Sequence, residues 1–123
     1  MCNTKTIFCD IDGTIFKQVS HNEINENSYI LLPNVKEQFE RWNKLKYCIV
    51  LVSARSEEIR ETTLIQLEKA GIKFSQLILG IGCENRYLIN NNTKNEPFIN
   101  RAISISVKRD EGFTNIDFSQ FEL

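Results

Sequence analysis

Residues 8–14 read FCDIDGT and place two carboxylates, Asp10 and Asp12, one residue apart at the end of an apolar run. Such neighbours repel each other, and burying them costs hydration unless a cation or shared proton offsets the loss. A strand-ending Asp-Gly turn accounts for Asp12 and Gly13 but leaves Asp10 unexplained. Phosphoryl transfer would use both carboxylates. It needs an in-line nucleophile, a proton donor for the leaving oxygen and positive charge around the equatorial oxygens. Asp10 is the candidate nucleophile, through an aspartyl-phosphate. Asp12 is the candidate acid and base. A hard cation such as Mg²⁺, bridging Asp10 and the phosphate, would reduce their repulsion. Residues 53–56 read SARS. There Ser53, with the backbone amides ahead of a helix starting near Ser56, offers an anion cradle. Arg55 offers a partner for a phosphate or another anionic part of the substrate.

These residues need a scaffold that brings them together. Ile7, Phe8 and Cys9 suit a buried strand. Residues 14–32 hold two short apolar stretches around a polar, Asn-rich middle, which reads as a flap or loose hairpin, too short to be a domain. PNVKEQFERWNKLK (33–46) sets Val35, Phe39, Trp42 and Leu45 at helical spacing, with Pro33 near the start, so Trp42 belongs to the core. YCIVLV (47–52) reads as a strand buried on both faces. A second helix follows, with Ser56 as N-cap, Glu57 and Glu58 in its first turn and Gly71 as its stop. Its inner stripe is Ile59, Thr63, Leu67 and Ala70. SQLILG (75–80), RYLIN (86–90) and AISISV (102–107) are further strand candidates, the last alternating as an edge strand does. Strands that alternate with helices predict an α/β domain with a mostly parallel sheet. Function in such sheets collects at the carboxyl ends of the strands, here the loops DIDGT, SARS, GIGCEN and NNNTK.

The 123 residues suit one domain, residues 1–123, with ordinary globular values of 41% apolar and 25% charged residues. Fifteen basic and sixteen acidic residues give a formal charge of −1, which points away from nucleic acid and from an anionic membrane. No apolar segment approaches a membrane span or a signal-peptide core, so a cytoplasmic protein is expected. Cys2, Cys9, Cys48 and Cys83 form no C-x-x-C pair and are expected as reduced thiols. His21 lies in the polar flap and is expected in solvent. Gly80 and Gly82 fit a tight loop, not the dinucleotide fingerprint.

TIFCDIDGT followed by IVLVSAR resembles the haloacid dehalogenase superfamily of phosphatases, whose first motif is D-x-D-G-T and whose second is a Ser or Thr after strand two. The resemblance implies a three-layer, Rossmann-like domain with a mostly parallel five-stranded sheet and no cap domain. It implies Asp10 as nucleophile, Asp12 as acid/base, and Ser53, with Gly13, Thr14 and Arg55, around the phosphate. Mg²⁺ is the implied cofactor, on Asp10, Asp12 and a fourth-motif residue. Two departures stand out. Arg86 is the best candidate for the third-motif cation, a surface role being the alternative. Where the family reads LIND, this chain reads LINNN, so Asn91 stands at the metal-binding position and Glu84 or Glu96 would have to compensate. The expected substrate is a small phosphorylated metabolite, such as a sugar phosphate, with a neighbouring subunit of a homo-oligomer closing the site as one arrangement. A receiver domain would carry its Asp after a mid-chain strand, where LILGIG has none. The rival from another class is a non-catalytic descendant that binds a phosphorylated ligand or a protein.

Overall fold

The structure, a computed structural model, describes residues 4–123, so Cys2 falls outside the described residues. Three strands form its sheet: β1 (Thr6–Cys9), β2 (Cys48–Val52) and β3 (Gln76–Ile78). They are parallel and lie in the order β1-β2-β3. The crossovers carry α1 (Val35–Lys44) and α2 (Arg60–Ala70). Right-handed crossovers between strands laid down in sequence order put successive helices on one face of the sheet. The packing agrees. Ile7 and Cys9 of β1, Ile49 and Leu51 of β2 and Leu77 of β3 join Val35, Phe39, Trp42, Leu67 and Ala70 of the helices in one apolar cluster. On the opposite face Phe8 is 54% exposed and Ile78 41%.

Helix α2 starts as the sequence predicts. The Ser56 hydroxyl accepts from the Glu58 N–H at 3.1 Å, and a single 3₁₀ turn, Glu57–Ile59, leads into the α-helix. Gly71 ends it, its N–H returning to the carbonyls of Leu67 and Glu68. Helix α1 begins at Val35 behind Asn34, whose side chain makes no cap bond. Residues 14–32 fold back on themselves: Lys17 N–H donates to Ile30 at 2.9 Å and Leu32 N–H to Ile15 at 2.9 Å. Ile15, Phe16 and Leu32 are buried there, and Phe16 stacks at 5.2 Å on Tyr29.

The expected five strands are three among the described residues. Residues 86–90 and 102–107 make no ladder, and Tyr87 and Ile89 are 85% and 92% exposed. The alternation is nevertheless real over 104–107, Ile103 being 62% exposed. Ile105 and Val107 pack against the core while Ser104 and Ser106 face out. The expected third layer is absent among the described residues, where α1 and α2 are the only α-helices and both feed the one core. The chain closes with a turn at 110–113 and a 3₁₀ turn, Phe118–Phe121, which bring Phe113 and Phe118 onto Trp42. No helix among the described residues is long and apolar enough to cross a membrane.

Candidate active site

Parallel pairing fixes the centre of the site. Cys9 lies opposite Leu51, so Asp10 leaves β1 level with Val52 and one residue short of Ser53. Both loops therefore emerge at the carboxyl edge of the sheet, where α/β proteins place their ligands. The turn after Asp10 is tight. The N–H groups of Thr14, Ile15 and Phe16 all point at the Ile11 carbonyl, and Gly13, at φ +85°, donates to Phe16 at 2.7 Å. A side chain at Gly13 would be strained by that φ and would also meet the Cγ of Arg109 at 3.3 Å.

The two carboxylates have separate environments. Asp12 is gripped by Arg55, whose Nε donates to Oδ2 at 2.9 Å and Nη2 to Oδ1 at 2.8 Å. Arg55 is 3% exposed, and its Nη1 donates to Thr63 Oγ1 at 3.0 Å and Gln66 Oε1 at 2.7 Å. The guanidinium expected at the substrate is thus spent on Asp12 and α2. A bidentate fork holds a carboxylate plane in one orientation. Asp10 is freer. Its side chain is 35% exposed; Oδ1 accepts from Arg86 Nη1 at 3.1 Å and Oδ2 from Thr14 Oγ1 at 3.4 Å. Arg86 reaches Asp10 from the surface, with its side chain 41% exposed. Ser53 is buried, and its hydroxyl accepts from the Arg55 N–H at 3.0 Å.

An open polar recess of about 170 Å³ lies over the two aspartates, lined by Asp10, Asp12, Gly13, Thr14, Val107 and Arg109; Ser53, Arg55 and Arg86 are not among its lining residues. Arg109 went unnoticed in the sequence, because it lies almost a hundred residues beyond the motif. The backbone delivers it: Asp110 N–H donates to the Gly13 carbonyl at 2.9 Å, and Gln18 N–H donates to Asp110 Oδ1 at 2.7 Å. Arg109 makes no ion pair among the described residues.

Asn91 is exposed and is not among the residues lining the recess; the bridge in its loop joins Asn92 to Asn100. Glu84 and Glu96 are exposed as well. Among the described residues no three His, Cys, Asp or Glu side chains cluster to hold a metal ion. Both Asp12 oxygens are taken by Arg55 and one Asp10 oxygen by Arg86. This donor set does not fit a resident Mg²⁺, which takes one or two carboxylates free to bind it.

No family model and no curated protein matches the chain. Solved structures do. A protein from Vibrio cholerae matches with a TM-score of 0.62 at 16% identity, covering 97% of this chain and 94% of its own. A chain of the Pnkp1/Rnl/Hen1 complex matches with a TM-score of 0.56 at 22% identity over 69% of this chain. This chain spans 31% of that one's length. A D,D-heptose 1,7-bisphosphate phosphatase from B. bronchiseptica, complexed with magnesium and phosphate, matches with a TM-score of 0.48 at 17% identity, over 67% of this chain and 53% of its own. At these identities the likeness is one of architecture, an α/β fold with a parallel sheet.

Proposed function

We propose that the chain is a phosphomonoester hydrolase acting on a small phosphorylated metabolite. The observation that carries this reading is the placing of Asp10: half-exposed at the carboxyl end of β1, opening onto a polar recess with two arginines beside it. An Asp10 oxygen attacks phosphorus as the bond to the leaving oxygen breaks, giving an aspartyl-phosphate. Asp12, having taken up a proton on an oxygen released from Arg55, gives it to the leaving oxygen, then takes one from the water that hydrolyses the intermediate. Arg86 and Arg109 supply positive charge to the equatorial oxygens, and Thr14 and Ser53 supply hydroxyls.

A second reading has an observation of its own. Asp12 accepts on both oxygens from a buried arginine, which suits a binder of phosphorylated ligands that no longer turns them over. The test is a turnover panel of sugar phosphates, nucleotides, an aryl phosphate and a terminally phosphorylated RNA oligonucleotide, with Mg²⁺ and with chelator. The RNA arm is included because one fold neighbour belongs to an RNA repair complex. Turnover of a metabolite that Asp10→Asn abolishes supports the hydrolase, since an amide is isosteric but a poor nucleophile. Binding of inorganic phosphate by calorimetry without turnover of any compound supports the binder.

A further inference from the structure

Gln66 stands on the buried side of α2, 1% exposed, between the apolar residues of the helix and the loop of the flap. An amide buried there costs free energy unless both its ends are bonded. Both are. Oε1 accepts from Arg55 Nη1 at 2.7 Å, and Nε2 donates to the Asn25 carbonyl at 2.6 Å, with Ser28 Oγ at 3.5 Å. The orientation of the amide follows from chemistry, because a guanidinium only donates and a carbonyl only accepts. Flipped, it would face donor with donor and acceptor with acceptor.

The bonds run on at either end. Arg55 passes from Gln66 to both oxygens of Asp12. Asn25 closes the flap loop upon itself, accepting from Asn27 N–H at 2.9 Å and bonding Ser28 at both its N–H and carbonyl. Lys69, one turn on from Gln66, donates to Asn27 Oδ1 at 2.9 Å. Phe16 at the flap's base lies 5.9 Å below the Arg55 guanidinium. One unbroken set of bonds thus joins the 25–28 loop, α2 and Asp12, and Gln66 is the member that touches both the loop and the arginine.

We propose that Gln66 is a positioning residue that couples the 25–28 loop of the flap to the Asp12 carboxylate through Arg55. When the loop sits on α2, Gln66 is oriented by it and holds Arg55 square to Asp12. When the loop lifts, Gln66 loses its acceptor, and the plane in which Asp12 meets the leaving oxygen is no longer fixed. The kinetic consequence rests on the hydrolase reading; the coupling itself does not.

Two variants separate the halves of the relay. Gln66→Glu keeps an acceptor for Arg55 and loses the donor to Asn25. Gln66→Leu, close in volume, loses both. Hydrogen exchange without substrate reads the coupling. Gln66→Glu should raise exchange about tenfold or more in residues 25–28 and leave residues 12–16 and 53–56 protected, whereas Gln66→Leu should raise it in all three. Unchanged exchange in the loop with Gln66→Glu overturns the coupling, whether or not the protein is an enzyme. The second readout is leaving-group dependence, which a merely structural role would not move. With Gln66→Leu, kcat on an alkyl phosphate should fall at least about tenfold, part of what a placed acid contributes, while kcat on an activated aryl phosphate stays near the parent value. Equal losses on both compounds overturn the link to Asp12. A parent protein without turnover on any phosphate ends the hydrolase reading and leaves the exchange result to decide the coupling.

Discussion

Cys9 and Asp10 are neighbours with opposite fates. Asp10 opens to the recess, while Cys9 faces the core, where burial, helped by the adjacent Asp10 charge, pushes its thiol up to about 12. The thiolate is the reactive form, so an alkylating agent at pH 8 should label exposed Cys83 fully before it marks Cys9, by peptide mass spectrometry. The thiol keeps its proton when folded and loses it near its ordinary value of 9.0 when unfolded. The folded state then binds more protons across that interval, so stability falls as pH rises from about 9 towards 12, by up to about 1.4 kcal/mol per pH unit. Arg55 makes a sharper test. Arg55→Ala would strand Asp12, Thr63 and Gln66 together, and breaking one side of a buried pair costs about 3–5 kcal/mol, readable by urea unfolding. That Asp10 and Asp12 stand together at the end of a strand was legible in seven residues. Their different surroundings were not, because these depend on which side of a turn each carboxylate faces and on an arginine that sequence spacing assigns to the substrate.

At the scale of elements, α2 and the first two strands were readable because each carries its own signals: an apolar run, a serine cap, a glycine stop. Residues 86–90 and 102–107 carry the alternation of strands without being strands. Alternation reports which side chains face the core, and Ile105 and Val107 do. It says nothing of whether a neighbouring backbone stands ready to pair, and β3, three residues long, offers little edge to extend. The turn at 110–113 was invisible for a different reason: its demand is steric. Gly112, at φ +63°, lies so close to Pro33 that an added Cβ would stand 2.5 Å from the Pro33 oxygen and 2.9 Å from its nitrogen. Neither backbone atom can swing aside. Gly112→Ala should therefore cost about 2 kcal/mol or more, combining backbone strain with a contact that only chain movement relieves, as a drop in denaturation midpoint would record.

For the molecule as a whole, the sheet is lopsided, with both helices against one face. Substitutions on the two faces should separate cleanly in urea unfolding. Leu51→Ala, at a fully buried position, is expected to cost about 2–5 kcal/mol, as large-to-small changes in cores do. Phe8→Ser, at a side chain more than half exposed, should cost about 1 kcal/mol or less, since much of its apolar surface already meets water. Equal losses would mean that the outer face is covered in solution. That the domain is α/β with a parallel sheet followed from the order of its runs. How many strands and layers it has did not, because those depend on pairings between segments far apart in the chain.

Trp42 is the sole tryptophan, and its ring lies 5.2 Å from Phe39, 6.0 Å from Phe113 and 5.2 Å from Phe118. Two of those three neighbours belong to the last eleven residues of the chain, and its indole N–H is buried without a partner among the described residues. The turn that leads into that segment, through Asp110 and Gly112, carries Arg109 to the carboxylates. The protein therefore contains its own optical gauge. Emission from this one indole should stay blue while the C-terminal segment is seated and shift red when it lifts away, so a fluorimeter with no added label can follow, in real time, whether the recess still has its second arginine.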